Sequence, residues 1–435
     1  MEVIKYPLRE NWKGILTRPA ADKKEVGPIV EGILAEVKAK GDEALKAYTE
    51  KFDGVKLESL KVTEEEFKEA DQVLSHSLKN AIDTASANVE AFHRSQWEPF
   101  RKVETMPGVL CWRKSVPIQK VGLYIPGGTA PLFSSLLMLA IPALVAGCEE
   151  IVVCSPPNKE GKLHPAILYI AGRLKIRQVY KVGGAQAIAA MAYGTESIPQ
   201  VYKIFGPGNT FVTKAKQLVS QDGLTIDMPA GPSEVAVMID QTADPEFVAA
   251  DLLAQAEHGT DSQVLLVAKD EMLVAEVLSA IRIQLERLPR KEIAEAALEN
   301  SKAILLHNMG EMLDLVNEYA PEHLIMSVDQ AESVSDKIIN AGSVFLGHYS
   351  PESIGDYASG TNHTLPTFGY AKATSGVSLD SFVKKITFQQ IDENGIQRIG
   401  PVVEEMAEAE GLHAHKWAVS IRLDSLQSGL SLESE

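Results

Sequence analysis

Between residues 117 and 230 the chain repeats one pattern: a short β-branched run, a turn rich in glycine or proline, then an apolar stretch with helical spacing. KVGLYIPGG, EEIVVCSPP, RQVYKVGG, VYKIFGPGN and LTIDMPAGP each close such a run. Strands separated by helices do not pair as tight hairpins; they build βαβ units and a parallel sheet. A second series follows from 244, with SQVLLVAKD, KAILLHN, HLIMSV and GSVFLG separated by helical patterns. The expectation is an α/β protein with two domains of similar construction.

The flanks read differently. Residues 22–52 and 63–92 carry apolar residues at three- and four-residue spacing, so both are expected to be helical. Thr63 and Glu66 have the spacing of a capping box at the start of the second stretch. From about 380 there is one strand pattern, KKITFQQI, and helical patterns through 394–425. That tail is too small to bury a core alone and must dock on something. The expected organisation is a helical region at 1–110 packing with the second α/β domain, α/β domains at 111–236 and 237–378, and an α+β tail at 379–435.

With 435 residues, 45% of them hydrophobic, the chain can bury a large core. Its formal net charge of -17 argues against wrapping nucleic acid and is compatible with a small cationic substrate. Cys111, Cys148 and Cys154 have no paired metal spacing, which suits a reducing cytoplasm. Cys154 ends a strand run but has Ser155 and Pro156 beside it, not a base that would make it a nucleophile. The first residues lack the pattern of a secretory signal. The uncharged stretch 131–148 contains two prolines and runs straight into a strand pattern, as a helix buried against a sheet does. No membrane span is expected.

Four glycine-rich turns, IPGGTAP, VGGAQA, FGPGNT and MPAGPS, fall at the carboxyl ends of strands, where open parallel sheets bind ligands. None has the G-x-G-x-x-G or Walker A spacing. In QAEHG, Gln255 and His258 are three apart and share a helix side, which makes that helix end either a solvated cap or half of a ligand set. APEHLI places Glu322 beside His323, two groups suited to proton transfer near neutral pH. GDYASGTNHTLPT, 355–367, reads as a polar loop carrying Asp356, Asn362 and His363, and EAEGLHAHKWAV adds Glu410, His413 and His415.

YIPGG at 124–128, VGGAQAIAA at 182–190, FGPGN at 205–209 and DMPAGPSE at 227–234 occur in this order with QAEHG at 255–259. PEHL at 321–324, GDYASGTNH at 355–363 and AHK at 414–416 complete the series. In order and spacing they resemble the histidinol dehydrogenases over nearly the whole chain. The resemblance implies two incomplete Rossmann-like domains, an intertwined homodimer with shared sites, and zinc and NAD as cofactors. It also implies oxidation of L-histidinol to L-histidine through histidinal, the final step of histidine biosynthesis. Matched by motif, the zinc ligands fall on Gln255, His258, Asp356 and His415, and the general bases on Glu322 and His323. Ser233, His363 and Glu410 match substrate-contacting positions, shared with Gln255, His258, His323, Asp356 and His415. Tyr124, Gln186 and Asn209 match NAD-binding ones. Three rivals are a related dehydrogenase acting on another amino or sulfonated alcohol, a hydrolase using metal-bound water, and a metabolite-binding protein without catalysis. A sulfonate would want a basic partner where Glu410 stands, and binding alone needs no paired bases. Trp417 and His413 depart from the family pattern without touching a matched ligand.

Overall fold

The computed structural model describes residues 1–19, 26–127, 132–228 and 231–428. Parts of the IPGGTAP and MPAGPS turns, residues 20–25 and the last seven residues lie outside these. In chain order the strands begin with β1 (Glu2–Lys5), β2 (Lys102–Met106) and β3 (Val109–Pro117). The first parallel series is β4 (Lys120–Tyr124), β5 (Glu150–Ser155), β6 (Gln178–Lys181), β7 (Lys203–Phe205) and β8 (Thr225–Ile226). The second is β9 (Glu234–Ile239), β10 (Gln263–Ala268), β11 (Lys302–Leu305), β12 (His323–Ser327) and β13 (Ser343–Leu346), and β14 (Val383–Ile391) comes last.

The chain divides into two units, residues 1–96 with 118–382, and residues 97–117 with the segment from 383. The larger unit holds both parallel sheets. One has the order β6-β5-β4-β7-β8 and the other β1-β11-β10-β9-β12-β13. Counted from its own first strand, each series is wound 3-2-1-4-5, with β1 added at one edge of the second. Strands buried on both faces explain the continuous apolar runs: every residue of β9, β10 and β12 is buried. The uncharged stretch forms the helix Phe133–Ala146, packed on the first sheet's β4 and buried along most of its length. No helix among the described residues is long and apolar enough to cross a membrane.

The N-terminal region departs from expectation in its partner. The helix Val26–Lys40 turns Val30, Ile33, Leu34 and Val37 into the core built by the helices Gly184–Tyr193 and Thr210–Gln221, which belong to the first sheet. Burying each of these side chains contributes about 1.5–3 kcal/mol. The helices Glu64–Val73 and His76–Arg94 likewise pack on Pro165–Arg173 and Phe133–Ala146. Among the described residues of this region, only β1 and the segment with Trp12 and Leu16 join the second sheet. Helical periodicity identifies a buried face but carries no record of what covers it. The capping box does form, Thr63 accepting from the Glu66 N–H and Glu66 accepting from the Thr63 N–H. The helix it starts ends at Val73, and Ser75 caps the next one.

Two further boundaries move. β9 crosses position 236, so the second sheet begins before the expected domain edge. β2 and β3 leave the N-terminal region altogether. In the smaller unit they form an antiparallel sheet, β14-β3-β2, with the strand expected in the tail. The tail's missing core is thus completed by a distant hairpin. The helices Glu393–Ala409 and His413–Gln427 pack on each other in the same unit.

Candidate active site

His323 is the first residue of β12, held by pairing with β9 on one side and β13 on the other. Glu322 precedes it and accepts a hydrogen bond from the Glu234 N–H at 3.0 Å. This pair therefore lies at the β9/β12 junction, where the strand order reverses, but at the amino ends of the strands. The pair thus lies at the end of the second sheet opposite to the one where open parallel sheets usually bind ligands.

Around His323 the charges are almost all negative. Its Nδ1 is 3.8 Å from both Glu322 and Glu352, and its Nε2 is 3.4 Å from Asp356. Neither ring nitrogen makes a hydrogen bond, although both are shut off from solvent. Buried polar atoms are nearly always paired, so an unpaired imidazole in a buried site marks a place where something else binds or reacts. Burial disfavours charging the ring, but Glu352, Glu322 and Asp356 together outweigh it and push His323 up to about 10. Burial pushes Glu322 up to about 8 despite the opposing pull of His323. Asp356 is the reverse case: burial opposes its charge, yet His323 holds it below the ordinary carboxylate range.

Gln255 occupies the last turn of the helix Pro245–Ala256 and is fully buried. In its hydrogen-bonding orientation the amide nitrogen faces Glu352, 3.2 Å from Oε2, and the oxygen accepts from the Glu234 N–H at 3.1 Å. His258 follows the helix end, with burial favouring its neutral, electron-donating form and Asp356 the nearest opposing charge. Asp356 itself is not in a loop, as the sequence pattern suggests, but on the short helix Glu352–Tyr357. His363 comes from the loop beyond. Its Nδ1 lies 2.9 Å from the Asp356 carbonyl and must donate to it, which leaves Nε2 to accept from the Ser135 hydroxyl at 3.1 Å. Asn362 adds a bond to the Met138 carbonyl, so the loop is fastened to the long apolar helix of the first sheet.

One cavity reaches this centre at His258, and a second adjoins the first at Asn209. The smaller, about 470 Å³, is lined by Ser233, His258, Asp261 and Phe368 from the second sheet's side and by Gly208 and Asn209 from the turn after β7. The larger, about 810 Å³, lies at the carboxyl end of the first sheet, lined by Tyr124, Gly184, Gln186 and Asn209 among others. Asn209 borders both. Its Oδ1 is committed to capping the helix Thr210–Gln221, accepting from the Phe211 and Val212 N–H groups. Tyr124 accepts from the Gly184 N–H at 3.1 Å, and burial pushes its hydroxyl up to about 12. Glu410 and His415 belong to the smaller unit, where both are exposed, Glu410 ending one helix and His415 in the first turn of the next.

With this arrangement described, known proteins can be compared. The family model for histidinol dehydrogenase matches residues 16–423. The chain belongs to the histidinol dehydrogenase family. A histidinol dehydrogenase of Bacteroides thetaiotaomicron is 58% identical over 427 residues, 98% of this chain and 100% of that protein. One from Bacteroides fragilis is 57% identical with the same coverage. The crystal structure of histidinol dehydrogenase from Elizabethkingia anophelis superposes with a TM-score of 0.97 at 52% identity, covering 98% of this chain and 99% of that one.

Within this family frame, the site contains one residue the motifs did not single out. Glu352 is fully buried against His323 and Gln255, and its proton affinity is raised by burial, with His323 opposing. Among the described residues, His323, Glu352 and Asp356 form a group whose donor atoms lie within 4.8 Å of one another, sharing only Asp356 with the ligand set expected from the motifs. The signal for Glu352 was its four-residue spacing from Asp356, which puts both carboxylates on one helical face. Replacing it with near-isosteric glutamine, Glu352→Gln, is expected to lower kcat with histidinol about ten- to a hundredfold, the usual effect of losing a group that orients a ligand or base. A variant that turns histidinol over at the full rate would reduce Glu352 to a buried structural acid.

Proposed function

We propose that this chain oxidises L-histidinol to L-histidine in two NAD-linked steps, with zinc held by Gln255, His258, Asp356 and His415. The observation that carries this reading is the unpaired, buried His323 between Glu322 and Asp356. An amide oxygen, a neutral imidazole and an ionised carboxylate make a mixed oxygen and nitrogen donor set that fits zinc, and His323 is left free of it. When bound, zinc supplies a fixed positive charge that holds the substrate's amine and imidazole and lowers the proton affinity of His323 nearby, while NAD supplies the hydride acceptor.

The chain's own residues then handle protons and position. His323 takes the hydroxyl proton as the alcohol carbon loses hydride, giving histidinal. Water adds to that aldehyde as Glu322 takes a water proton and the former carbonyl oxygen takes back the proton that His323 holds. His323 then takes a hydroxyl proton of the hydrate as a second hydride leaves to a second NAD, giving the carboxylic acid, and both bases release their protons to solvent. Two bases of different kinds suit two different proton donors. Ser233, His363 and Glu410 would position the substrate. Tyr124, Gln186 and Asn209 would line the dinucleotide site. The 3-2-1-4-5 winding of the first sheet supports a Rossmann-like role for that domain, and the cavity at its carboxyl end supports NAD as occupant. The working form on this reading is a homodimer in which Glu410 and His415 reach the partner's site.

Counting product against substrate tests the proposal. Two NADH are expected for each histidinol consumed, and about one, with histidinal released, for Glu322→Gln. One NADH per histidinol from the unaltered chain would eliminate the second oxidation.

A further inference from the structure

The larger cavity contains a carboxylate that the fold does not need. Asp53 is the last residue of the helix Asp42–Asp53, in the helical arm outside both sheets, and it borders the cavity near Tyr124. No described residue hydrogen-bonds or ion-pairs with its side chain, and its Oδ2 is closed off from solvent without a partner. A half-buried acid without a partner is unfavourable, and the negative end of a helix dipole makes it more so. Burial alone pushes Asp53 up to about 6. Asparagine would suit the folded chain better at this position.

The strand order indicates what such a group could be for. In dinucleotide-binding sheets wound this way, an acidic residue at the end of the second strand accepts hydrogen bonds from the ribose of the adenosine half. Here the second strand is β5, and its end reads Cys154, Ser155, Pro156, Pro157, Asn158, with no acid among them; Glu160, the acid of the following turn, does not line the cavity. Ser155, Pro156 and Asn158 line the same cavity as Asp53. The carboxylate absent from the strand is present on the opposite structural element.

We propose that Asp53 accepts the ribose hydroxyl hydrogens on the adenosine side of NAD and, by its charge, rejects a cofactor carrying a phosphate at that ribose. This rests on the NAD assignment above and adds to it the residue that chooses NAD over NADP. Lys162 and Lys159 also border the cavity and could favour a phosphate, but Lys162 is paired with Glu69 at 2.5 Å. The preference therefore has to be measured directly.

The test is titration of the purified protein, Asp53→Asn and Asp53→Ala with NADH and with NADPH, alongside melting without ligand. In both variants NADH binding should weaken about ten- to a hundredfold, as for loss of a charged hydrogen bond. The preference for NADH over NADPH should shrink at least about tenfold, and Asp53→Asn should melt no lower than the parent. Unchanged NADH affinity and unchanged preference overturn the proposal. So does a clear fall in melting temperature with both binding constants intact, which makes Asp53 a structural acid. If the unaltered protein binds no NADH, the NAD assignment itself fails; if it binds NADH and Asp53 makes no difference, only this inference does.

Discussion

On the proposed mechanism, a His323→Asn variant is expected to fold, bind NADH as well as the unaltered chain and lose about a thousandfold in kcat, within the range for removing a positioned general base. The strand around position 323 is set by backbone pairing to β9 and β13, which the substitution leaves in place. Asparagine fills similar space but cannot take a proton. It also removes the one group that offsets Glu322, Glu352 and Asp356 together, so those carboxyls should bind protons more tightly and the protein should melt somewhat lower. Steady-state rates with histidinol, set beside NADH titration, separate lost chemistry from lost binding. A kcat within tenfold of the parent would show that some other group takes the alcohol proton.

Much of the fold could be read from apolar runs and turn residues because strands buried on both faces must be continuously apolar. β4 to β7 and β10 to β12 were visible in this way; β8, β13 and β14 were also legible, from β-branched and aromatic residues, although they bury little. β1 is four residues long and largely exposed, so it carries no such signal. β9, EVAVMI, has the signal but follows DMPAGPS so closely that it reads as the end of one domain, not the start of the next. The hairpin β2–β3 buries only Val109, and its pairing with β14 spans more than 250 residues. Pairing at that distance is written in three dimensions only. At the site, local motifs located Glu322, His323, Gln255, His258 and Asp356, since each belongs to a compact polar pattern beside a helix or strand end. Glu352 and Asp53 escaped because their meaning lies in what they lack, a partner or solvent, and a sequence does not display solvent. The amino-end placement of His323 was hidden for the same reason. A sequence shows that a residue starts a strand, but not which end of the sheet faces the cavity.

The tail provides the other large expected effect. The helix His413–Gln427 buries none of its residues, and Trp417 and Ile421, four apart on one face, are 64% and 68% exposed. A helix with nothing buried gains little from folding by itself, so the reading in which this segment docks on a second copy and delivers His415 to its site has a physical motive. His415→Ala and His323→Ala chains should each be nearly inactive alone. Co-expressed at equal levels, they should form mixed dimers as half of the population. In a mixed dimer with shared sites, one site collects both substitutions and the other collects neither, so about a quarter of the parent activity should return. If each chain completed its own site, every site would carry one substitution and activity would stay near zero. Separating the mixed dimer with two different affinity tags and measuring NADH formation by that species alone tells the two arrangements apart: half of the parent's rate per dimer for shared sites, none for private ones.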